Sequence, residues 1–196
     1  MFLGTIVEWM LRFLFMNKFL SLIIVIFLIS LPALARGNYL DELDKYALWK
    51  NNKRIKVWVQ PCEYKETVYK AFNEWMVAAG GCIKFIEANS KDTANITVTF
   101  VPELEGLQAG VTHYRSAGKY MVKADIELRY KSLYNRKLSN KKMFAVASHE
   151  IGHSLGIMGH SSNIHDIMYP TTNVIGIHLS DRDVNTIREF YCSGKY

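Results

Sequence analysis

The chain has 196 residues, of which 49% are hydrophobic and 21% are charged, and its formal net charge is +6 at pH 7. This composition excludes fibrous, low-complexity and intrinsically disordered proteins, and the length favours one compact domain. Lysine and arginine residues are scattered along the chain, and no nucleic-acid-binding motif accompanies them. We therefore expect an ordinary solvated basic surface and no nucleic-acid partner.

The first 35 residues have the layout of a secretory signal peptide. Lys18 precedes an almost unbroken apolar run over residues 19–31, and Ala33-Leu34-Ala35 provides a small-x-small cleavage site. Met16 is an alternative translation start. We expect cleavage after Ala35, which leaves residues 36–196 as one domain, secreted or periplasmic and free of the membrane. The alternative is a retained anchor, because residues 2–15 extend the apolar run toward the roughly 18 residues that span a bilayer.

Five strands and one helix are predicted in the first part of the mature chain. Apolar residues at helical spacing between Val68 and Met76 predict a helix that is closed by Gly80 and Gly81. It connects the first two strands, so these form a parallel βαβ unit. In the last strand Val122, Ala124, Ile126 and Leu128 are expected to share the buried face. Alternation of apolar residues predicts the strands over residues 55–59, 83–86, 96–100, 111–115 and 122–130.

Two more helices are predicted after the sheet. The first covers residues 141–155 and ends at Gly156. Its core-facing residues are Phe144, Ala147, Ile151 and Leu155. After a loop to about residue 179, Ser180 caps the last helix together with Asp183, three residues further on. The buried stripe of that helix is expected at Val184, Ile187 and Tyr191.

The first of these helices carries the sequence His149-Glu150-Ile151-Gly152-His153. Residues four apart lie on one face of a helix, so the two imidazoles converge and Glu150 can reach a water beside a metal held by them. A catalytic zinc needs a third protein ligand and one open position. Gly156 lets the backbone leave the helix sharply, and His160 follows as the candidate third ligand. His165 and Asp166 are the rival third ligands.

The stretch from Val146 to Pro170 resembles the active site of metzincin metallopeptidases, and among them of the matrixins. It contains the two helical histidines, the glycine, the third histidine and Ile167-Met168-Tyr169-Pro170 in the matrixin order. Three residues separate Gly156 from His160, whereas the signature has two. We expect Gly159 to absorb the extra residue in a backbone conformation closed to other side chains. The resemblance implies a metzincin-like α+β fold: a mixed, twisted five-stranded sheet with two long helices, an active-site helix, a methionine turn and a C-terminal helix.

The resemblance also implies a secreted zinc endopeptidase that acts as a monomer on protein or peptide substrates. Zinc would be held by His149, His153 and His160, Glu150 would be the general base that activates the attacking water, and no motif indicates structural calcium. Met168 would form a hydrophobic floor under the metal. Residues 170–173, beginning with Pro170, would form the outer wall of a substrate pocket. An extended peptide would pair with the edge strand at Gly110, Val111 and Thr112, and His113 would be a structural or rim residue.

Two other functions remain open at this point. One is a zinc hydrolase that acts on a small amide with the same ligands. The other is a secreted binding module with a degenerate site, for which the extra residue before His160 is the only indication. A protease assay combined with the zinc stoichiometry separates these alternatives from an endopeptidase.

The three cysteines are Cys62, Cys82 and Cys192, so at least one has no partner within the monomer. A bridge from Cys62 to Cys82 is disfavoured, because the two ends of a parallel crossover lie at opposite ends of the sheet. The sequence at Cys82 resembles the second strand of astacins, and this resemblance implies a Cys82–Cys192 bridge with Cys62 free. Residues 36–53 contain nothing like the zinc-capping cysteine of matrixin precursors. We therefore expect an enzyme that is synthesised in its active form or one that another protein chain controls.

Overall fold

The structure is a computed structural model that describes residues 37–43, 46–171 and 177–196. The predicted signal peptide lies outside these residues. All helices and strands of the described residues belong to the unit Asn38–Tyr196. Within the described ranges, no helix is both long and apolar enough to cross a bilayer. In chain order the elements are β1 (Ile55–Val59), α1 (Lys65–Ala78), β2 (Phe85–Glu87), β3 (Ile96–Val101), β4 (Gly110–Ala117), β5 (Tyr120–Arg129), α2 (Asn140–Ser154) and α3 (Asp181–Cys192), with short 3-10 turns at Leu40–Glu42 and Lys91–Thr93.

The five strands form one mixed sheet in the order β2-β1-β3-β5-β4. The contacts β1–β2, β1–β3 and β3–β5 are parallel, and only β4 runs antiparallel to its neighbour β5. The α+β fold and the parallel βαβ unit are therefore confirmed. Because β4 lies at the end of the order, it is an edge strand of the sheet.

The helices α1 and α2 pack on each other through the apolar face that the sequence predicts for α1. Val68, Ala71, Phe72 and Trp75 of that face are buried. The indole Nε1 of Trp75 donates a hydrogen bond of 2.9 Å to the carbonyl oxygen of Ser148 on α2. A buried indole N–H needs such a partner, so this bond fixes how the two helices face each other.

A β-bulge changes the buried face predicted for β5. Pairing with β4 passes from Arg115↔Lys123 to Ser116↔Met121, which leaves Val122 without a partner. An extra residue in one strand reverses which side chains point inward beyond it. Met121 is therefore 5% exposed, whereas Val122, predicted to be buried, is 52% exposed.

The C-terminal helix α3 has the predicted capping box, in which Ser180 and Asp183 bond each other's backbone N–H groups. Its buried side chains differ in part from the prediction: Ile187 is buried, whereas Val184 and Tyr191 are only half-buried. Asp183 and Thr186 are buried because Tyr39 covers them. The Tyr39 hydroxyl donates to Asp183 Oδ1 at 2.9 Å, and the Tyr39 backbone N–H donates to Thr186 Oγ1 at 3.3 Å. On α2, similarly, Met143 is buried while the predicted Phe144 is half-buried.

The disulfide joins Cys82 to Cys192, with 5.5 Å between the two Cα atoms. It ties the turn after α1 to the last residue of α3. Cys62 is free and exposed. The expected pairing is thereby confirmed.

Candidate active site

Three imidazole rings meet beside the C-terminal half of α2. The ring centroids of His149 and His153 are 4.8 Å apart, and that of His160 lies 5.2 Å and 5.0 Å from them. One ring nitrogen from each of the three residues lies within 4.8 Å of the other two. The helix supplies the first two rings through their i, i+4 spacing, and the loop after Gly156 supplies the third.

The outer nitrogens of the two helical histidines are held by backbone carbonyls. His149 Nδ1 lies 2.8 Å from the Ile167 oxygen, and His153 Nδ1 lies 2.7 Å from the Ile157 oxygen. A carbonyl only accepts, so both Nδ1 atoms carry the proton and both Nε2 atoms present a lone pair. These two Nε2 atoms face each other at 3.2 Å. Two lone pairs so placed repel each other unless a cation lies between them.

The spacing of these nitrogens fits zinc. Two imidazole nitrogens that bind one zinc tetrahedrally at about 2.0–2.1 Å lie about 3.3 Å apart. The measured separation of 3.2 Å agrees with that value. Histidines that bind a metal usually donate their other ring N–H to a carbonyl or carboxylate, as both do here. The donor set of His149, His153 and His160 therefore suits a zinc ion.

Burial keeps the three rings neutral. The pKa falls to about 3 for His149 and to about 4 for His153, chiefly through desolvation and in part through a neighbouring ring, while the hydrogen bond to the backbone carbonyl opposes the fall. Desolvation also lowers the pKa of His160, which is the most exposed of the three. Neutral imidazole is the form that binds metals, so the site is ready for a cation at neutral pH.

Gly156, rather than Gly159, has the special backbone conformation that brings His160 back to the helix. Its φ is 99°, and a Cβ at this position would collide with the carbonyl oxygen of Ala47. Gly159, expected to adopt a glycine-only conformation, is not in the left-handed region. Gly159 instead avoids a close contact, because a Cβ at this position would lie 3.0 Å from Leu43 Cδ2.

Met168 is fully buried against α2 at the position of Gly152. A Cβ on Gly152 would collide with the Met168 sulfur and would lie 3.1 Å from Trp75 Cζ2. The methionine turn around Met168 is connected to the loop that carries His160, because the Ser161 N–H donates a hydrogen bond of 2.9 Å to the Met168 oxygen. The same turn supplies the Ile167 carbonyl that orients His149. The glycine inside the helical motif is thus needed for close packing of the turn.

Glu150 lies between α2 and the edge strand β4. Thr112 donates its hydroxyl to Glu150 Oε2 at 2.7 Å and to the Glu150 backbone oxygen at 3.1 Å. Desolvation raises the pKa of Glu150 to about 7, and the hydrogen bond from Thr112 opposes that rise. A carboxyl with a pKa near 7 can both accept and return a proton at neutral pH.

No other candidate ligand named from the sequence belongs to the histidine cluster of the described residues. His165 is exposed, and Asp166 is buried in contacts with Ser161, Ser180 and Arg182, so neither belongs to the histidine cluster. His113 is exposed on β4. Pro170 is exposed, and part of the expected pocket wall, residues 172–173, lies outside the described residues.

Several contacts that orient the site do not follow from the sequence pattern. These are the carbonyls of Ile157 and Ile167, the hydroxyl of Thr112, and the side chains of Glu42 and Arg182. A signal existed only for Thr112, which stands two residues after Gly110 on a predicted edge strand. The others depend on pairs of residues that no periodicity connects.

Known proteins with similar sequences and folds point to one family. The matrixin family model matches residues 41–192. Metalloendoproteinase 1 of Glycine max is 28% identical over 147 residues, which are 65% of this chain and 45% of that protein. Stromelysin-1 of Rattus norvegicus is 41% identical over 58 residues, which are 28% of this chain and 12% of that protein. The chain thus spans less than half the length of these relatives.

Among solved structures, myroilysin superposes with a TM-score of 0.52 at 18% sequence identity, over 74% of this chain and 96% of that one. At this identity the similarity supports the fold alone. The family match, in contrast, covers most of the chain, including every residue of the histidine cluster. The chain therefore belongs to the matrixin family.

Proposed function

We propose that the chain is a secreted zinc-dependent endopeptidase in which His149, His153 and His160 hold the metal and Glu150 is the general base. The observation that carries this proposal is the pair of unprotonated Nε2 atoms that face each other at 3.2 Å, each fixed by a carbonyl behind it. Membership in the matrixin family supports the same function. Three protein nitrogens also leave the open fourth position that a catalytic zinc requires.

A zinc ion at this site would polarise the scissile carbonyl and make water a stronger nucleophile at neutral pH. The protein's own contribution is proton transfer and orientation. Glu150 takes a proton from the attacking water and returns it to the leaving amine, and desolvation of its carboxyl group favours proton uptake. The carbonyls of Ile157 and Ile167 hold the two helical imidazoles in the required tautomer.

The substrate is proposed to be an extended peptide along β4. This strand ends the sheet, so one side of its backbone pairs with no other strand of the described part of the chain. An exposed sheet edge binds an extended peptide by backbone hydrogen bonds, and these bonds do not depend on the identity of the peptide's side chains. Gly110 and Thr112 on this edge face Glu150, and Val111 stands between them in the strand. Pro170 would border the pocket beyond the cleaved bond.

The direct test measures zinc content and casein cleavage for the protein expressed from the full-length chain. We expect one zinc per chain and cleavage that a chelator abolishes. Glu150→Gln should still bind one zinc but lose cleavage by about a thousandfold or more, because it keeps the ligands and lacks the base. Activity that survives both the chelator and this substitution would overturn the proposal.

A pair of histidine variants tests the ligand set. His160→Gln should lower zinc affinity by more than tenfold, since one of three ligands is removed. His165→Gln is the matched control, because His165 is exposed five residues further along the same loop and lies outside the cluster. Zinc affinity is measured by competition with a chromophoric chelator. Equal affinities of the two variants would exclude His160 as a ligand.

Export is the remaining part of the proposal. The disulfide between Cys82 and Cys192 supports an oxidising compartment. N-terminal sequencing of the protein recovered outside the cytoplasm should begin at Arg36. A recovered protein that still begins at Met1 or Met16 would show that the segment is retained.

A further inference from the structure

The edge strand β4 forms a seat for the Glu150 side chain. Residues 110 and 112 lie on the same face of a strand, because side chains alternate with a period of two. At one end of the seat, the Thr112 hydroxyl donates to Glu150 Oε2 at 2.7 Å. At the other end, a Cβ on Gly110 would lie 2.6 Å from Glu150 Cγ and 2.8 Å from Oε1. The glycine therefore leaves space that the Glu150 side chain fills.

Thr112 holds the Glu150 carboxylate. Among the described residues, no other group forms a hydrogen bond or ion pair with the Glu150 carboxylate. Glu150 is almost fully buried, so water does not replace such a partner freely. One carboxylate oxygen is thus fixed by Thr112, while Oε1 has no partner within the described chain.

The hydroxyl of Thr112 has two acceptors within hydrogen-bond distance, the backbone oxygen and the carboxylate of Glu150. Their distances distinguish a structural role of the hydroxyl from one in placing the carboxylate. A purely structural hydroxyl would bond the backbone oxygen of α2, which lies 3.1 Å away. The carboxylate oxygen is closer, at 2.7 Å. Bonds of the type O–H···O⁻ are shorter and about twice as strong as neutral ones. The carboxylate is therefore the principal acceptor.

We propose that Thr112 is a positioning residue for catalysis: its hydroxyl fixes Oε2 of Glu150, and together with the space at Gly110 it leaves Oε1 directed to the water that Glu150 deprotonates. This inference rests on the proposed role of Glu150 as the general base. A glutamate side chain has three rotatable bonds, and its carboxylate must be placed within hydrogen-bond distance of the reacting proton. The seat on β4 selects one arrangement before substrate binds.

The test compares Thr112→Val, which has the same shape without a donor, with Thr112→Ser, which keeps the donor. For Thr112→Val we expect kcat to fall by roughly tenfold to a hundredfold, with KM changed by less than about twofold. Thr112→Ser should recover most of kcat. Zinc affinity, measured by chelator competition, should be the same in all three proteins, since the three histidines are untouched.

Gly110→Ala acts on the same carboxylate from the other side. Gly110 does not have the left-handed backbone that favours glycine, and the group that its new Cβ would meet is a flexible side chain. The fold should therefore tolerate the substitution while Glu150 moves. We expect a loss of kcat similar to that of Thr112→Val, and crystal structures of both variants should show a different Glu150 rotamer.

Thr97→Val is the matched control. Thr97 on β3 donates its hydroxyl to the Asp125 carboxylate at 2.6 Å, so this variant removes the same kind of bond elsewhere in the sheet. Its kcat should equal that of the wild type. The proposal is overturned if Thr112→Val keeps full kcat, or if Thr112→Ser is as impaired as Thr112→Val while the wild type and Thr97→Val are active. A wild-type protein that neither binds zinc nor cleaves casein overturns the proposed function and this inference together.

Discussion

Burial moves the pKa of three neighbouring residues on α2 toward their uncharged forms. The pKa falls to about 3 for His149 and to about 4 for His153, and it rises to about 7 for Glu150. The ordinary values are 6.5 for histidine and 4.5 for glutamate. In the metal-free protein near pH 5.5, all three side chains are therefore neutral when folded and charged when unfolded.

These shifts predict how the stability of the metal-free protein depends on pH. Between pH 6.5 and 4.5, the two histidines bind protons only in the unfolded state, so each lowers the free energy of unfolding as pH falls. Glu150 binds its proton only in the folded state over this window and raises that free energy. Each contribution is about 1.4 kcal/mol per pH unit, so these three residues together give a net loss of about 1.4 kcal/mol per unit on acidification. The lowered pKa of His160 acts in the same direction as those of the other two histidines.

Urea unfolding in the presence of a chelator measures this slope, and variants isolate the three residues. Glu150→Gln should steepen the loss to about 2.7 kcal/mol per pH unit, because only the histidine contributions remain. His149→Gln should remove most of the slope, since one histidine then opposes one glutamate. Slopes identical in all three proteins would contradict the burial of these groups.

At the scale of elements, the 3-10 turn Leu40–Glu42 holds the loop that carries His160. Glu42 accepts a hydrogen bond of 2.7 Å from the Ser162 N–H and forms an ion pair with Arg182. Arg182 in turn donates to Asp166 at 2.8 Å, and Asp166 is only 1% exposed. The segment before β1 and the start of α3 thus support the third histidine from behind.

Arg182→Met should weaken both the fold and the zinc site. It leaves the buried carboxylate of Asp166 without its charged hydrogen-bond donor, which we expect to cost about 2–3 kcal/mol in the free energy of unfolding. Zinc affinity should also fall, because the loop of His160 is then less restrained. Lys65→Met removes an exposed ion pair with Glu87 and should leave both the free energy of unfolding and the zinc affinity close to those of the wild type. Equal effects of the two substitutions in urea unfolding and chelator competition would argue against this support.

The periodicity of apolar residues predicted the buried side chains correctly where a helix or strand has one regular buried face. It failed where a bulge or a contact distant in sequence changes that face. Strand β1 alternates as expected, because Ile55, Val57 and Val59 share one buried face. In β3 the alternation is lost, because Thr97 is buried together with Ile96 and Val98. The bulge opposite Arg115 moves Val122 outward, and no residue pattern in the sequence marks that irregularity. The buried stripe of α3 shifted because Tyr39, distant in sequence, covers its polar side chains.

For the molecule as a whole, the part of the site that the sequence predicted is the part that is local in the chain. His149, His153 and His160 lie within one helix and the following loop, so their spacing alone indicates a shared ligand. The contacts that orient the site are long-range: Thr112 and Glu150 are 38 residues apart, and Glu42 and Arg182 are 140 apart. Such pairs follow from the tertiary fold, which juxtaposes β4 with α2 and the first turn with α3.

The disulfide is a covalent link between two residues that are far apart in the sequence. Cys82 and Cys192 are separated by 110 residues, so their bridge removes much conformational entropy from the unfolded chain. We expect Cys82→Ser combined with Cys192→Ser to lower the free energy of unfolding by about 2–5 kcal/mol in urea. Zinc affinity and kcat should stay close to those of the wild type, because neither cysteine is in the histidine cluster. These measurements are made at about 20 °C, near the temperature at which folded proteins are most stable.

Cys62→Ser is the control for this double substitution, since Cys62 is free and exposed and its replacement should leave stability within about 0.5 kcal/mol. The comparison separates stability from site geometry. A disulfide that acts only on the unfolded chain changes the urea midpoint but not the zinc affinity measured on the folded protein. If the double variant lost zinc while remaining folded, the bridge would instead contribute to the arrangement of the three histidines, and α3 would have to transmit that effect through Arg182 and Asp166.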